Sequence, residues 1–176
     1  EIAGDRCFWK RRDAGADQPV VYAGAFAQGP TGGTVFLDLN TLSEDGTVAM
    51  DWMQPSRDGV LVAYGLSEGG SERSTLYVRN ALTGERLPDV IPFTRASSIA
   101  WLPDNSGFYY SRLPEPGTVP EGEESFWRRI YFHALGADPA QDPLVFGDGF
   151  EKETWVSVGV SHDYSTIFGF ASTDWA

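Results

Sequence analysis

The chain has 176 residues, of which 13 are basic and 25 acidic, for a net charge of −12. One sizeable domain fits this length, and a nucleic-acid binder is excluded because phosphate binding needs clustered Lys and Arg, which form no stripe here. The 20 glycines and 11 prolines are spread from end to end, which argues against a helix-rich fold, since each costs about 1 or 3 kcal/mol inside a helix.

In chain order, alternating apolar and polar runs bounded by turn residues predict strands over Thr47–Trp52, Val60–Leu66, Ser74–Asn80 and roughly Arg86–Ile91. Ser97–Trp101, Gly107–Arg112, Arg128–Ala134, Pro143–Phe146 and Thr154–Val160 follow. The same punctuation follows three of them: Pro55-Ser56-Arg57-Asp58-Gly59, Leu102-Pro103-Asp104-Asn105-Ser106 and Val160-Ser161-His162-Asp163-Tyr164. Asp or Ser in such a turn can bond backbone amides while Gly or Asn supplies positive φ, so the hairpin closes without strain.

The repeated aspartates are 46 and 59 residues apart, and the longer interval holds the Pro/Gly/Glu segment Pro114–Glu124, which reads as an inserted loop. A repeat of about 40 to 50 residues carrying four short strands is the signature of a β-propeller blade. A β-sandwich would also show strands, but it does not normally repeat a four-strand unit of fixed length. The expected fold is all-β, a partial propeller of about three and a half four-stranded antiparallel blades. The divisions are a part-blade over about 1–45, blades over about 46–93 and about 94–150 with the insertion at 114–124, and a part-blade over about 151–176. Because an open array exposes apolar blade faces, the chain reads as a sector completed by further sequence or by a second copy.

Once the strands are placed, other residues gain meaning. Phe36-Leu37-Asp38-Leu39-Asn40-Thr41-Leu42-Ser43-Glu44-Asp45-Gly46-Thr47 resembles the Asp-Pro-Asn, Leu-Ser, Asp-Gly stretch of the prolyl oligopeptidase family. Ala63-Tyr64-Gly65-Leu66-Ser67, Leu87-Pro88-Asp89-Val90, Ala100-Trp101, Gly107-Phe108-Tyr109-Tyr110-Ser111 and Tyr131-Phe132-His133 follow in that family's order. Leu39, where the family usually has Pro, and Cys7-Phe8-Trp9, in place of its aromatic run, depart from the pattern. The alternative is a non-enzymatic propeller that serves as a protein-interaction module; the resemblance implies the substrate-gating part of a seven-bladed propeller. Such a propeller covers an α/β-hydrolase domain whose Ser, Asp and His cleave short peptides after proline. Its partners would be the rest of the propeller and that peptidase domain, or a second copy, together with short proline-containing peptides. The resemblance also places Ser98, two residues before Ala100-Trp101, close to substrate; relatives can carry a thiol there.

No catalytic residue is expected in this chain. Gly65-Leu66-Ser67-Glu68-Gly69 matches a nucleophile elbow, but a β-like run and not a helix follows it, so Ser67 is a decoy. His133 and His162 lie in different units and form no metal site with Cys7, and Glu115, Glu121, Glu123 and Glu124 read as a solvated loop. Metal and cofactor are therefore not expected. Trp52, Trp101 and Trp155 read as packing between blades. Cys7 is the only cysteine and cannot form an intrachain disulfide. No apolar run approaches the roughly 18 residues of a membrane span. The expectation is a soluble cytoplasmic or periplasmic protein, whose acidity weakly favours cationic peptides by steering.

Overall fold

A computed structural model describes residues 1–43 and 45–173; Glu44 and residues 174–176, which fall within the sequence-based divisions above, lie outside the described residues. Among the described residues fourteen strands form four antiparallel sheets, each built by neighbouring strands in chain order. The first contains β1 (Ile2–Ala3), β2 (Arg6–Arg11), β3 (Val20–Ala25) and β4 (Thr34–Asp38). The segment expected as part of a blade is thus four-stranded, opening on a strand of only two residues. The second sheet runs β5 (Val48–Pro55), β6 (Leu61–Glu68), β7 (Thr75–Asn80) and β8 (Arg86–Ile91). The third runs β9 (Ile99–Trp101), β10 (Gly107–Arg112), β11 (Arg129–Ala134) and β12 (Leu144–Phe146), and the fourth pairs β13 (Trp155–Val160) with β14 (Ile167–Ser172). Among the described residues no helix is long and apolar enough to cross a membrane.

The repeated aspartates do what their spacing implies. Asp58 Oδ1 accepts from the Val60 amide at 3.0 Å, Asp104 Oδ1 from the Ser106 amide at 3.0 Å, and Asp163 Oδ1 from the Ser165 amide at 3.1 Å. Asp45 does the same for Thr47. The residue after each repeated aspartate is left-handed: Gly59 at φ 70°, Asn105 at 59° and Tyr164 at 61°. Glycine is required at position 59, where a Cβ would come within 2.6 Å of the Ala3 carbonyl oxygen. Tyr164 holds the same conformation with a bulky side chain, and the Arg57 guanidinium lies 4.7 Å from its ring centre. Hydroxyl and amide donors hold these carboxyls below their usual range, with Asp163 lowered to about 2, chiefly by the Ser161 and Ser165 hydroxyls.

Strand alternation sends successive side chains to opposite faces, and the central strands are covered on both. In β6, Val62 and Tyr64 pack with Phe8, Phe36 and Leu37 of the first sheet, whereas Leu61 and Ala63 pack with Trp101, Phe108 and Tyr110 of the third. A smaller cluster of Ala100, Ile130, Val156 and Val158 joins the third sheet to the fourth. Each seam carries polar ties as well. Arg79 Nη1 donates to the Phe36 carbonyl, Trp101 Nε1 to the Gln54 carbonyl at 3.0 Å, and Asn105 Nδ2 to Asp58 Oδ2 at 2.8 Å. Sheets therefore stack face to face in chain order, as propeller blades do. Among the described residues β14 pairs only with β13, and Phe168 and Phe170 on it are exposed.

Candidate functional site

Strand polarity separates two rims. The Asp turns close β5–β6, β9–β10 and β13–β14 at one, so the β6–β7, β8–β9 and β10–β11 connections and the approach to β13 gather at the other. Two cavities lie among those connections, of about 680 Å³ and 290 Å³, with Arg95 and Ser125 lining both. The larger is walled by Trp52, Glu72, Ala96, Ser97, Arg128 and Trp155, the smaller by Arg73, Phe93, Leu113, Pro114, Pro116 and Glu124.

This rim holds backbone strain, in one case inside a turn that the Ser97 amide closes on the Thr94 carbonyl at 3.1 Å. Glu72, Phe93, Ala96 and Trp127 are non-glycine residues at φ 53°, 63°, 45° and 60°. The left-handed region costs an L-residue roughly 1–2 kcal/mol, and such residues concentrate where a surface must be held in one shape for function. Contacts over-determine the loops that carry them. Trp52 Nε1 donates to the Thr94 carbonyl at 3.1 Å, Trp127 Nε1 donates to Glu123 Oε2 at 2.8 Å, and Lys152 Nζ donates to Glu123 Oε1 at 2.8 Å. Glu123, expected to be merely solvated, instead pins the inserted loop. An exposed pair, Arg95 Nη2 to Glu72 Oε2 at 2.6 Å, crosses the mouth.

The matches to known proteins agree with this geometry. Residues 2–175 match the family description "Prolyl oligopeptidase, N-terminal beta-propeller domain". The chain belongs to the prolyl oligopeptidase family. Prolyl oligopeptidase A of Galerina marginata is 36% identical over 150 residues, which cover 76% of this chain and 20% of that protein. The prolyl endopeptidase of Elizabethkingia meningoseptica is 33% identical over 162 residues, covering 91% and 22%. A structure from a study of two prolyl endopeptidases and the role of inter-domain dynamics in catalysis and specificity superposes with a TM-score of 0.89. It shares 28% identity and covers 99% of this chain and 26% of its own. Prolyl oligopeptidase B of Galerina marginata, bound to a 35mer hydrolysis and macrocyclization substrate, gives a TM-score of 0.80 at 26% identity, covering 97% and 26%. The chain thus spans about a fifth to a quarter of the relatives it matches.

Within this prolyl oligopeptidase propeller segment, the residues singled out from sequence take different places. Ser98 stands beside the cavity-lining Ser97, but its hydroxyl is spent on a seam: it accepts from the Val158 amide at 2.9 Å and lies 3.3 Å from Ser111 Oγ. Ser67 lies inside β6, buried, and donates to Asp51 Oδ1 at 2.9 Å. His133 is fully buried with Nε2 2.9 Å from Asp89 Oδ1 and Nδ1 2.9 Å from Asp142 Oδ1, so both ring nitrogens are engaged by carboxylates other than Asp51, which holds Ser67. The Gly136 amide donates to Asp89, and Tyr110 Oη donates to Asp142 Oδ2 at 2.8 Å. Burial, reinforced by that bond, pushes the Tyr110 phenol up. This cluster bridges β8 and β11 of successive sheets. His162 is exposed in its turn, and among the described residues no group of His, Cys, Asp and Glu is arranged to hold a metal.

One expectation is corrected. Trp101 is core and Trp52 half-buried, but Trp155 is 41% exposed. It opens β13 at the rim, where its ring covers the Arg128 guanidinium of the neighbouring sheet at 4.0 Å and stays partly open to solvent. Sequence reasoning missed Arg128 altogether, although Arg128 and Arg129 stand together at a strand start and period-two alternation must send one of them inward. Arg128 shares its face with the buried Ile130.

Proposed function

We propose that this chain is the substrate-gating propeller portion of a serine endopeptidase that cleaves short peptides after proline. The chemistry is supplied by an α/β-hydrolase segment beyond the matched residues. The four sheets act as successive blades of a seven-bladed ring, divided near residues 45, 93 and 150, with the rest of the ring as neighbour. The observation that carries this reading is the pair of neighbouring cavities on one rim, sharing Arg95 and Ser125 and bounded by strained, pinned loops, in a chain whose residues 2–175 match that family's propeller.

Physically, a stack of sheets with dry seams is a rigid wall. Peptides reach a site beyond it only by passing its rim or its inner strands, so folded proteins are held back by size. Loops fixed by Trp52, Glu123 and Lys152 offer short extended peptides a preformed surface, which lowers the ordering cost of binding. Ser98 enters as a neighbour of that surface, tying β9 to β13 beneath Ala96 and Ser97. Acyl transfer by Ser, His and Asp is assigned to the other segment because Ser67 and His133 are each committed to structural partners.

The test is incubation of the chain with a proline-containing chromogenic peptide, following both chromophore release and amide chemical shifts. Shifts at Arg95, Ala96 and Trp155 without release are expected. Turnover by the chain alone, abolished by Ser67→Ala, would overturn the reading.

A further inference from the structure

A buried cation with no carboxylate lies against the larger cavity. Arg128 is 3% exposed, and of its five N–H groups three have acceptors. Nη1 donates to the Ala96 carbonyl at 3.3 Å and to Ser111 Oγ at 3.2 Å, and Nη2 to the Arg95 carbonyl at 2.7 Å. Nε–H is buried without an acceptor, and Nη2 keeps a second N–H to give. None of the three acceptors is charged. The ring of Trp155, 4.0 Å away, offers only its quadrupole.

The surrounding carboxylates are committed elsewhere. Asp51 accepts from the hydroxyls of Ser67 and Ser74, and Glu72 pairs with Arg95. Burial first, and then the charge of Arg95, push Arg128 down to about 10. An uncompensated buried charge costs several kcal/mol. Holding the Arg95 and Ala96 carbonyls and the Ser111 hydroxyl accounts for three donors but leaves the other two, and the charge, unanswered.

Resting on the peptide-contacting role proposed above, we infer that the larger cavity receives a peptide carboxylate, held by the spare N–H groups of Arg128 beside the Trp155 ring. Arg–carboxylate bonds are the charge-assisted, bidentate kind. Because the chain as a whole is acidic, at −12, its long-range field works against such a ligand, so a preference for acidic peptides reports the local site and not steering.

The test titrates the chain at about 0.15 M salt, where the Debye length is about 8 Å, with three peptides. Acetyl-Gly-Gln-Pro-amide is neutral, acetyl-Gly-Glu-Pro-amide carries a side-chain carboxylate, and acetyl-Gly-Gln-Pro with a free C-terminus carries a terminal one. At least one acidic peptide should bind tenfold or more tighter than the neutral twin and shift the Arg128 Nε–H resonance, which the neutral peptide leaves in place; the arm that does so identifies the carboxylate. Arg128→Met should erase the difference without weakening the neutral peptide. Should that variant fail to fold, the Nε–H resonance of the unaltered chain decides. Equal binding of all three with rim amides shifted overturns the carboxylate site and leaves the peptide-contacting role standing. No shift with any peptide overturns both.

Discussion

Replacing Asp89 by alanine should open the seam between the second and third sheets. The carboxylate accepts from the Gly136 amide at 2.6 Å and faces His133 Nε2 at 2.9 Å, with both side chains shielded from water. Alanine leaves two buried donors without partners, at about 1–3 kcal/mol each. A loss of about 4 kcal/mol is a large part of the roughly 5–15 kcal/mol that holds a domain folded. With a urea slope of about 2 kcal/mol/M, the unfolding midpoint should fall by about 2 M. Tryptophan fluorescence follows the transition, because Trp101 lies in the same seam. Asp89→Asn, which keeps one acceptor oxygen, should cost clearly less. A double-mutant cycle with His133→Ala should return a coupling above about 1.5 kcal/mol. An unmoved midpoint for Asp89→Ala, or a coupling near zero, would refute the claim that this cluster fastens one sheet to the next.

Three further outcomes are expected. Gly65→Ala places a Cβ about 2.4 Å from the Trp52 indole, which must then leave its seat on β6, so thermal unfolding should report a loss of about 1–3 kcal/mol; a neutral effect would mean Trp52 is not held there. Ser98→Ala orphans the Val158 amide and should speed hydrogen exchange at that amide selectively, whereas uniform protection across the chain would argue that the seam does not depend on the hydroxyl. Asp163 has a folded-state pKa lowered to about 2, so its contribution is present above about pH 4 and is lost as pH falls through about 2. Asp163→Asn keeps an acceptor for the Ser165 amide and should flatten the acid limb of the stability curve with little change at neutral pH; an unchanged limb would count against the assignment.

Local chemistry made much of this fold readable. An aspartate that bonds the amide two residues on, followed by a left-handed residue, is a short-range event, and it announced the hairpins at Asp58, Asp104 and Asp163 before any sheet was placed. Short apolar runs bounded by turn residues likewise revealed β6 and β10, because their side chains face packed seams on both sides. The candidate site is a long-range object. Asp89 and Asp142 converge on His133 from opposite directions along the chain, and Trp155 reaches Arg128 only because β13 stacks on the third sheet. Trp155 reads as core because aromatic character is visible in a sequence and rim position is not. Glu72, Phe93, Ala96 and Trp127 carry positive φ with no glycine to betray it; packing imposes that conformation.

The gating role is tested most directly by exchange. This chain should replace the matching segment of the Elizabethkingia meningoseptica prolyl endopeptidase, and the folded chimera should be offered a short proline peptide and a folded protein that contains proline. Cleavage of the peptide with the folded protein left intact is the result expected of a wall that selects by size. A chimera that folds and digests both would contradict it.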